Sequence, residues 1–331
     1  SASYTPADFT TEVYTPAYAS GFDIRGTERN AATLVTVRTP WQGGSGVEQH
    51  LLVLREGIEP PAGFDGQIVK APVRHVVCMS SSHVAMFDAI GQIRRVCGVS
   101  GIDYISNAYV NEHRCCGEVL DVGYDTNPAY SPDGKYVAWL SMARNGYESD
   151  RTRLCVLDLK TGAKTYVTEA FQSGVDGFCW AADSRSFYFT GVWQARSMVH
   201  STNLKGEVRP LTTGDFDYGA GLALCGKNLI VTRHSISAPD DIYSLSFKKK
   251  KNAEVRQLTR ENQYFQERLK MGEVKERWVA TTDGKKELCW VVYPPHFDPS
   301  KKYPVLLFCE GGPQSPVSQF WSYRWNLQIM A

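Results

Sequence analysis

The chain has 331 residues, 43% of them hydrophobic, and a formal net charge of +1. This length predicts about two domains with sizeable apolar cores, and the balanced charge argues against a nucleic-acid-binding protein. No apolar stretch reaches the roughly 18 residues of a membrane-spanning helix. The nine cysteines lack CxxC or zinc-site spacing, so we expect free, buried thiols and neither a metal nor another cofactor.

The first part of the chain predicts a mixed α/β segment. Strand-length runs of β-branched and apolar residues occur at 33–41 and 50–56. A third run at 73–79 leads through Ser80, a good helix cap, into residues with helical spacing, and another short run follows at 94–101. This strand–helix–strand order predicts a βαβ unit with parallel strands. We therefore assign residues 1–124 to an α/β domain.

The next part repeats a turn motif. A turn around Asp133 and a turn around Asp183 each precede an apolar strand, fifty positions apart. Leu-Thr pairs at 211 and 258 repeat at a similar interval. Periods of about 40–50 residues with several strands each are typical of β-propeller blades. A β-sandwich is the weaker alternative, because sandwiches do not repeat a turn at constant spacing. Residues 125–272 thus predict about three blades, a partial propeller, since complete ones have about 4–8.

The last part changes pattern again. A two-strand hairpin is predicted at 277–295, turning at Asp283-Gly284. A buried strand is predicted in the run VLLFCEGGP at 305–313, which ends in a glycine turn. An α/β sheet with a ligand site at its strand ends begins in this way. Residues 273–331 therefore predict the start of an α/β-hydrolase domain.

Two stretches of this sequence resemble a known family. KKYPVLLFCEGGPQSPVSQFWSYRWNLQIMA at 301–331 resembles the beginning of the hydrolase domain of prolyl-oligopeptidase-family serine peptidases. YSPDGKYVAWLSMARNGYESDRTRLCVLDLKTG at 130–162 resembles the propeller of their bacterial dipeptidyl-peptidase branch. The resemblance covers 125–331. It implies the front part of a serine exopeptidase that acts on peptides, with propeller blades gating the active site.

The same resemblance predicts that this chain is inactive alone. The family's catalytic Ser, Asp and His follow in that order, beginning at a G-x-S-x-G elbow. No such elbow occurs in this sequence. We therefore assign no catalytic residue.

The resemblance implies an oxyanion loop. Glu310, Gly311 and Gly312 follow the predicted strand, where the family places one oxyanion-hole donor. Relatives commonly carry Tyr or His at the position of Glu310, and an ionised carboxylate cannot donate a hydrogen bond. Either the backbone N–H groups of the glycines donate, or Glu310 attracts a substrate ammonium group. The alternative is a glycine turn that serves backbone geometry only.

The resemblance also implies a site for the substrate amino terminus. Glu148 and Asp150 lie in a loop that interrupts the first predicted blade. Dipeptidyl peptidases of this family hold the free amino terminus of the peptide with acidic propeller groups, a use that suits charge-assisted hydrogen bonds. The alternative is a surface ion pair of Asp150 with Arg151 or Arg153.

Three stretches of the first part carry another resemblance: DIRGTERNAATLVTVRTPWQG at 23–43, HLLVLREGIEPP at 50–61 and APVRHVVCMSSSHVAMFDAIGQIRRVCGVSG at 71–101. Through them, residues 22–124 resemble the amino-terminal lobe of periplasmic substrate-binding proteins of the iron-siderophore and cobalamin type. This likeness implies an alternative function, a binding module that serves an ABC importer. A chimeric chain with neither activity is a third alternative. Both resemblances imply a location in the periplasm or cell envelope.

Overall fold

The computed structural model describes residues 8–29, 31–40, 46–61, 64–123, 125–144, 150–247, 252–309 and 315–331. The chain divides into two compact units. The first contains Ser1–Val99 and Asp103–Leu120, and the second contains Ser100–Ile102 and Asp121–Ala331.

The first unit begins with a five-stranded sheet whose strands lie in chain order. Its strands are β1 (Thr11–Tyr14), β2 (Phe22–Gly26), β3 (Ala32–Arg38), β4 (Glu48–Leu54) and β5 (Gln67–Lys70). The first four pair antiparallel, and β5 pairs parallel to β4. β3 and β4 correspond to the two predicted runs at 33–41 and 50–56. Phe9, Ala32, Leu52 and Leu54 form the core beneath this sheet.

The rest of the first unit is built around one helix. The elements are β6 (Val76–Cys78), α1 (Ser81–Ala89), β7 (Val96–Val99), α2 (Ala108–His113) and β8 (Leu120–Asp121). β6 and β7 pair in parallel on either side of α1 in the chain, which confirms the predicted strand–helix–strand order. Ser80 caps α1 as predicted, because its Oγ accepts a hydrogen bond from the His83 backbone N–H at 3.3 Å.

The second unit consists mainly of three consecutive antiparallel sheets. The first contains β9 (Thr126–Tyr130), β10 (Tyr136–Ser141), β11 (Arg153–Asp158) and β12 (Lys164–Tyr166). The second contains β13 (Gly177–Trp180), β14 (Ser186–Trp193), β15 (Arg196–Asn203) and β16 (Arg209–Pro210). The third contains β17 (Asp217–Tyr218), β18 (Ala223–Cys225), β19 (Asn228–Ser235), β20 (Ala238–Ser246) and β21 (Glu254–Gln257). This arrangement agrees with a partial propeller, and we call the sheets blades one, two and three.

The blades are held together by apolar side chains that alternate along each strand. In β14, Phe187 and Phe189 point into a core shared with blade one, which contributes Leu154. Tyr188, between them, points to the opposite face and stacks on Phe247 of blade three at 4.6 Å. Successive strand residues face opposite sides of a sheet. Blade two is therefore covered on both faces by its neighbours.

The repeated turns predicted from the sequence have the expected local chemistry. The Asp133 carboxylate accepts hydrogen bonds from Ser131 Oγ at 2.8 Å and the Lys135 backbone N–H at 3.2 Å. In the second turn Ser184 adopts a positive φ of 56°, the position that Gly134 occupies in the first with 69°. Ser184 Oγ also accepts a hydrogen bond from the Asp133 backbone N–H at 3.1 Å. The two turns thus connect blades one and two.

The end of the second unit contains α3 (Gln263–Gln266), a two-stranded sheet of β22 (Val274–Ala280) and β23 (Lys286–Val292), and α4 (Leu327–Met330). The predicted hairpin is confirmed by β22 and β23, which pair antiparallel. Its turn contains Gly284 at a positive φ.

The predicted buried strand at 305–309 is wrong. These residues form no strand, and Val305 and Leu307 are 92% and 82% exposed. The expectation of buried cysteines holds only for Cys78 and Cys155, because four others are exposed: Cys115, Cys116, Cys225 and Cys309. A β-strand needs a hydrogen-bonding neighbour and an apolar surface against its side chains. In the part of the chain that the structure describes, no strand lies beside this run, so its apolar sequence alone does not produce one.

Candidate functional site

Most of the predicted site residues lie outside the described part of the chain. Glu148 belongs to the undescribed segment 145–149, and Glu310, Gly311 and Gly312 belong to the segment 310–314. Their assignments stay predictions. Asp150 is described.

Asp150 forms an ion pair with Arg144. The guanidinium contacts both carboxylate oxygens, with Nη2 at 2.5 Å from Oδ1 and Nε at 3.1 Å from Oδ2. These contacts hold the pKa of Asp150 below its usual range. The ion-pair alternative named Arg151 or Arg153, but both of these contact Glu169 instead, at 2.8 and 3.1 Å. The charge of Asp150 is thus compensated within its own loop.

Acidic residues stand at the start of the first strand of every blade. Asp125 precedes β9, Asp176 precedes β13, and Asp217 begins β17. The Asp125 carboxylate accepts a hydrogen bond from Trp139 Nε1 at 2.9 Å. Asp217 is buried and accepts hydrogen bonds from the Ser197 backbone N–H at 2.8 Å and from Ser318 Oγ at 2.6 Å. Equivalent positions in three blades therefore carry the same charge.

Asp176 differs from the other two. Its carboxylate has neither a hydrogen bond nor an ion pair among the residues that the structure describes. The residue is exposed to solvent. Even so, the surrounding protein raises the pKa of its carboxyl to about 6, mainly by desolvation and further through the charge of Asp217. Asp176 is therefore a solvent-accessible carboxylate whose charge no described residue compensates.

One cluster contains the residue types of a serine-peptidase triad, namely Ser318, Asp217 and His234. Their arrangement in space is not that of a triad. Asp217 lies between the other two, with His234 Nε2 at 3.7 Å and Ser318 Oγ at 2.6 Å from its Oδ2. In a working triad the imidazole lies between serine and aspartate, so that it takes the serine proton. The group instead connects residues 315–331 to blade three.

The imidazole of His234 is held by a second carboxylate as well. His234 Nδ1 lies 2.9 Å from Asp240 Oδ1. Burial acts to lower the pKa of His234, but the hydrogen bonds to Asp217 and Asp240 outweigh it, and the pKa is raised. The same part of blade three receives Gln319, whose side-chain oxygen accepts a hydrogen bond from the Ile236 backbone N–H at 3.3 Å. This cluster is a structural connection.

Our sequence analysis did not identify the aspartates at the start of the first strand of each blade, although their spacing from the repeated turns is visible in the sequence. Asp125 and Asp176 precede the repeated turn aspartates, Asp133 and Asp183, by eight and seven positions. Aligning the repeats over their full length, and not at the turn alone, would have shown this second repeated aspartate.

Two general properties of the described residues bear on function. No group of three or more His, Cys, Asp or Glu side chains among them could hold a metal ion. No helix within the described ranges is long and apolar enough to cross a membrane.

We expect Asp176→Asn to raise the melting temperature at pH 7.5. The folded-state pKa of Asp176 is raised, so the folded protein is disfavoured wherever this group is ionised, that is, as pH rises from 3.8 through about 6. The neutral amide removes this disadvantage. Thermal denaturation at pH 7.5 and pH 4 measures the effect, and the gain should shrink at pH 4.

Asp183→Asn is the matched control. The Asp183 carboxylate accepts hydrogen bonds from the backbone N–H groups of Arg185 and Ser186, each at 2.9 Å, and its pKa is lowered. The control should therefore reduce stability at pH 7.5. Two variants that both destabilise at pH 7.5 would contradict the raised pKa of Asp176.

Comparison with known proteins shows similarity to peptidases. The chain is 46% identical over 211 residues to dipeptidyl-peptidase 5 of Porphyromonas gingivalis, which covers 63% of this chain and 30% of that protein. It is 47% identical over 211 residues to dipeptidyl-peptidase 5 of Porphyromonas endodontalis, with the same coverage. No family model matches the chain. The chain spans about 30% of the length of these curated relatives.

A solved structure, the acylaminoacyl peptidase of Pyrococcus horikoshii, aligns with a TM-score of 0.49 and 22% identity, covering 60% of this chain and 30% of that one. At so low a TM-score this likeness carries no argument. The likeness of residues 22–124 to substrate-binding proteins has no support among these relatives. Over 63% of its length, then, this chain is similar in sequence to dipeptidyl-peptidases.

Proposed function

We propose that this chain is the front part of a serine exopeptidase of the dipeptidyl-peptidase type, which acts on peptides. The observation that carries the proposal is the 46% identity over 211 residues with a dipeptidyl-peptidase 5. In this proposal the blades restrict access to the active site, so that short peptides enter and large folded proteins are excluded. The location it implies, periplasm or cell envelope, rests on the family resemblance of residues 125–331.

The proposal assigns binding to this chain and bond cleavage to a hydrolase domain that residues 273–331 begin. The order of Ser318, Asp217 and His234 leaves Ser318 without an imidazole base. The nucleophile, base and acid of the reaction are therefore assigned to residues other than these. The oxyanion loop keeps its assignment to Glu310, Gly311 and Gly312.

The charge of the substrate amino terminus is the property that the blades are suited to recognise. Asp150 is compensated by Arg144, so it adds little net negative potential. Glu148, in the same loop, and Asp176, whose charge no described residue compensates, are the stronger candidates for contacting an ammonium group. A partly desolvated carboxylate attracts a cation more strongly than one in open water.

The test is Glu148→Gln in an enzyme that carries this chain ahead of a complete hydrolase domain. Losing one charged hydrogen bond should lower kcat/KM for dipeptidyl substrates with a free amino terminus by about 10–150-fold. Amino-acetylated substrates should be affected much less. Steady-state kinetics on both substrates measures the difference.

Glu169→Gln is the control, because the exposed Glu169 carboxylate pairs with Arg151 and Arg153, and its replacement should leave both rates nearly unchanged. An equal loss on free and acetylated substrates would mean that Glu148 supports the fold and does not hold the substrate. An enzyme with no dipeptidyl activity at all would refute the proposed function itself.

A further inference from the structure

A small recess of about 120 Å³ opens on blade three. Its wall includes Phe216, Arg233, Ser235, Asp241 and Tyr243. Arg233 belongs to β19 and lies directly opposite Asp241 of β20. The recess is therefore built on two paired strands, which fix the positions of its polar groups.

The guanidinium group of Arg233 is held between two aromatic rings. Its central carbon lies 3.9 Å from the ring centroid of Phe216 and 3.9 Å from that of Tyr243. Contacts of this kind stabilise the cation and restrict the plane of the group. With the two rings against it, the guanidinium has its N–H groups left for further contacts, and the Tyr218 hydroxyl lies near them.

Arg233 also lacks a carboxylate partner among the described residues. The other partly buried arginines of the second unit have one: Arg151 and Arg153 contact Glu169 at 2.8 and 3.1 Å, and Arg196 contacts Asp215 at 2.7 Å. Asp241, opposite Arg233, forms no ion pair with it. A half-buried cation without a counter-charge is unusual, because desolvating a charge is costly unless it is paired.

The carboxylate of Asp241 is engaged elsewhere. It accepts hydrogen bonds from Thr259 Oγ1 at 2.7 Å, from the Glu261 backbone N–H at 3.1 Å and from Gln257 Nε2 at 3.2 Å. His234 also borders the recess, but its two ring nitrogens face carboxylates. Among the charged groups that the structure describes on this wall, Arg233 is therefore the one without a carboxylate partner, although the Tyr218 hydroxyl lies near its guanidinium.

We propose that this recess binds a carboxylate group of a peptide, with the N–H edge of Arg233 as its bidentate donor. A planar guanidinium matches the two oxygens of a carboxylate, and fixing it between rings reduces the entropy lost on binding. A second cavity of about 290 Å³ shares Asp241, Gln257 and Gln266 with the recess and leaves room for the residue that bears the carboxylate. That the ligand is a peptide rests on the proposed function, whereas that it bears a carboxylate rests on the surroundings of Arg233.

The source of the carboxylate is either a peptide carboxyl terminus or an acidic side chain, and three probes distinguish them. Acetyl-Gly-Gly carries a terminal carboxylate, acetyl-Glu-amide carries only a side-chain carboxylate, and acetyl-Gln-amide is neutral. Binding of each probe to this 331-residue chain is measured by calorimetry or NMR titration. We expect saturable binding of one or both acidic probes and no saturable binding of the neutral one.

Arg233→Gln should weaken binding of the acidic probe by about 10–150-fold, since it removes a charged, bidentate donor. Arg233→Lys keeps the positive charge but removes the paired N–H donors of the guanidinium, so it should weaken binding by a smaller factor. This variant also provides a test if Arg233→Gln does not fold. Arg151→Gln, which alters an arginine paired with Glu169, should bind as the unaltered chain does.

Three results would overturn the proposal: equal affinity of the neutral and acidic probes, unchanged affinity in both Arg233 variants, or no saturable binding of any probe. None of these measurements uses peptidase activity. A failure of the proposed function would therefore leave a positive binding result intact, with a carboxylate ligand from another source.

Discussion

Replacing Phe189 by alanine should lower the free energy of unfolding by about 3–5 kcal/mol, the cost of deleting a large aromatic side chain from a core. Phe189 is fully buried between blades one and two. Its ring contacts Phe171 edge-on at 5.3 Å and stacks on His200 at 5.1 Å. The cavity left by the substitution would lie among side chains of both blades, so neither blade could close it alone. Urea denaturation followed by circular dichroism measures the change.

Phe265→Ala makes the same chemical change at a surface position. Phe265 lies in α3 and is 60% exposed. Its replacement should cost about 1 kcal/mol or less, because little apolar area returns to water. Comparable losses in the two variants would mean that Phe189 is not the centre of the contact between blades one and two.

A second large effect is expected from acid. The imidazole of His200 is buried, it stacks on Phe189, and its ring also contacts Phe171. Burial lowers the pKa of His200 from 6.5 to about 4, although a hydrogen-bond contact with the Met198 carbonyl opposes the change. Between these two pH values the unfolded chain binds a proton that the folded chain does not. The contribution of His200 to stability should therefore fall by about 3 kcal/mol from pH 6.5 to pH 4, while the raised pKa of Asp176 acts in the opposite direction over this range.

His200→Phe tests this assignment through the slope of stability against pH. The variant keeps an aromatic ring in the cluster but cannot be protonated. Measured relative to the unaltered chain, its free energy of unfolding should rise by about 3 kcal/mol as pH falls from 6.5 to 4, whatever its stability at pH 7. Parallel pH dependences for the two proteins would show that His200 is not the group responsible.

Much of the secondary structure could be predicted because its causes are local. The turns at Asp133 and Asp183, the cap at Ser80 and the hairpin at Gly284 each depend on residues within a few positions of one another. Turn chemistry and capping act at that range, and the interval between the two turns then predicts blades. The local sequence was misleading at 305–309, where an apolar run lacks a neighbouring strand in the described part of the chain.

The surroundings of the charged groups could not be predicted in the same way. Asp150 pairs with Arg144 and not with the arginines beside it in the chain. Asp176 owes its raised pKa in part to Asp217, a residue of the next blade. The sequence does not show that the guanidinium of Arg233 contacts the rings of Phe216 and Tyr243 and no carboxylate of the described residues.

The amino-acid sequence by itself determined the repeated turns, the hairpin, the strand–helix–strand unit and the likeness to peptidases. Only the tertiary structure decided which carboxylates and guanidinium groups have an oppositely charged partner. It also decided that, among the residues it describes, Ser318 contacts Asp217 and no imidazole, and the apolar run at 305–309 has no neighbouring strand. The physical reason is range. Backbone hydrogen bonds in turns and caps form between near neighbours, whereas desolvation and charge pairing depend on groups that come together only when whole sheets pack.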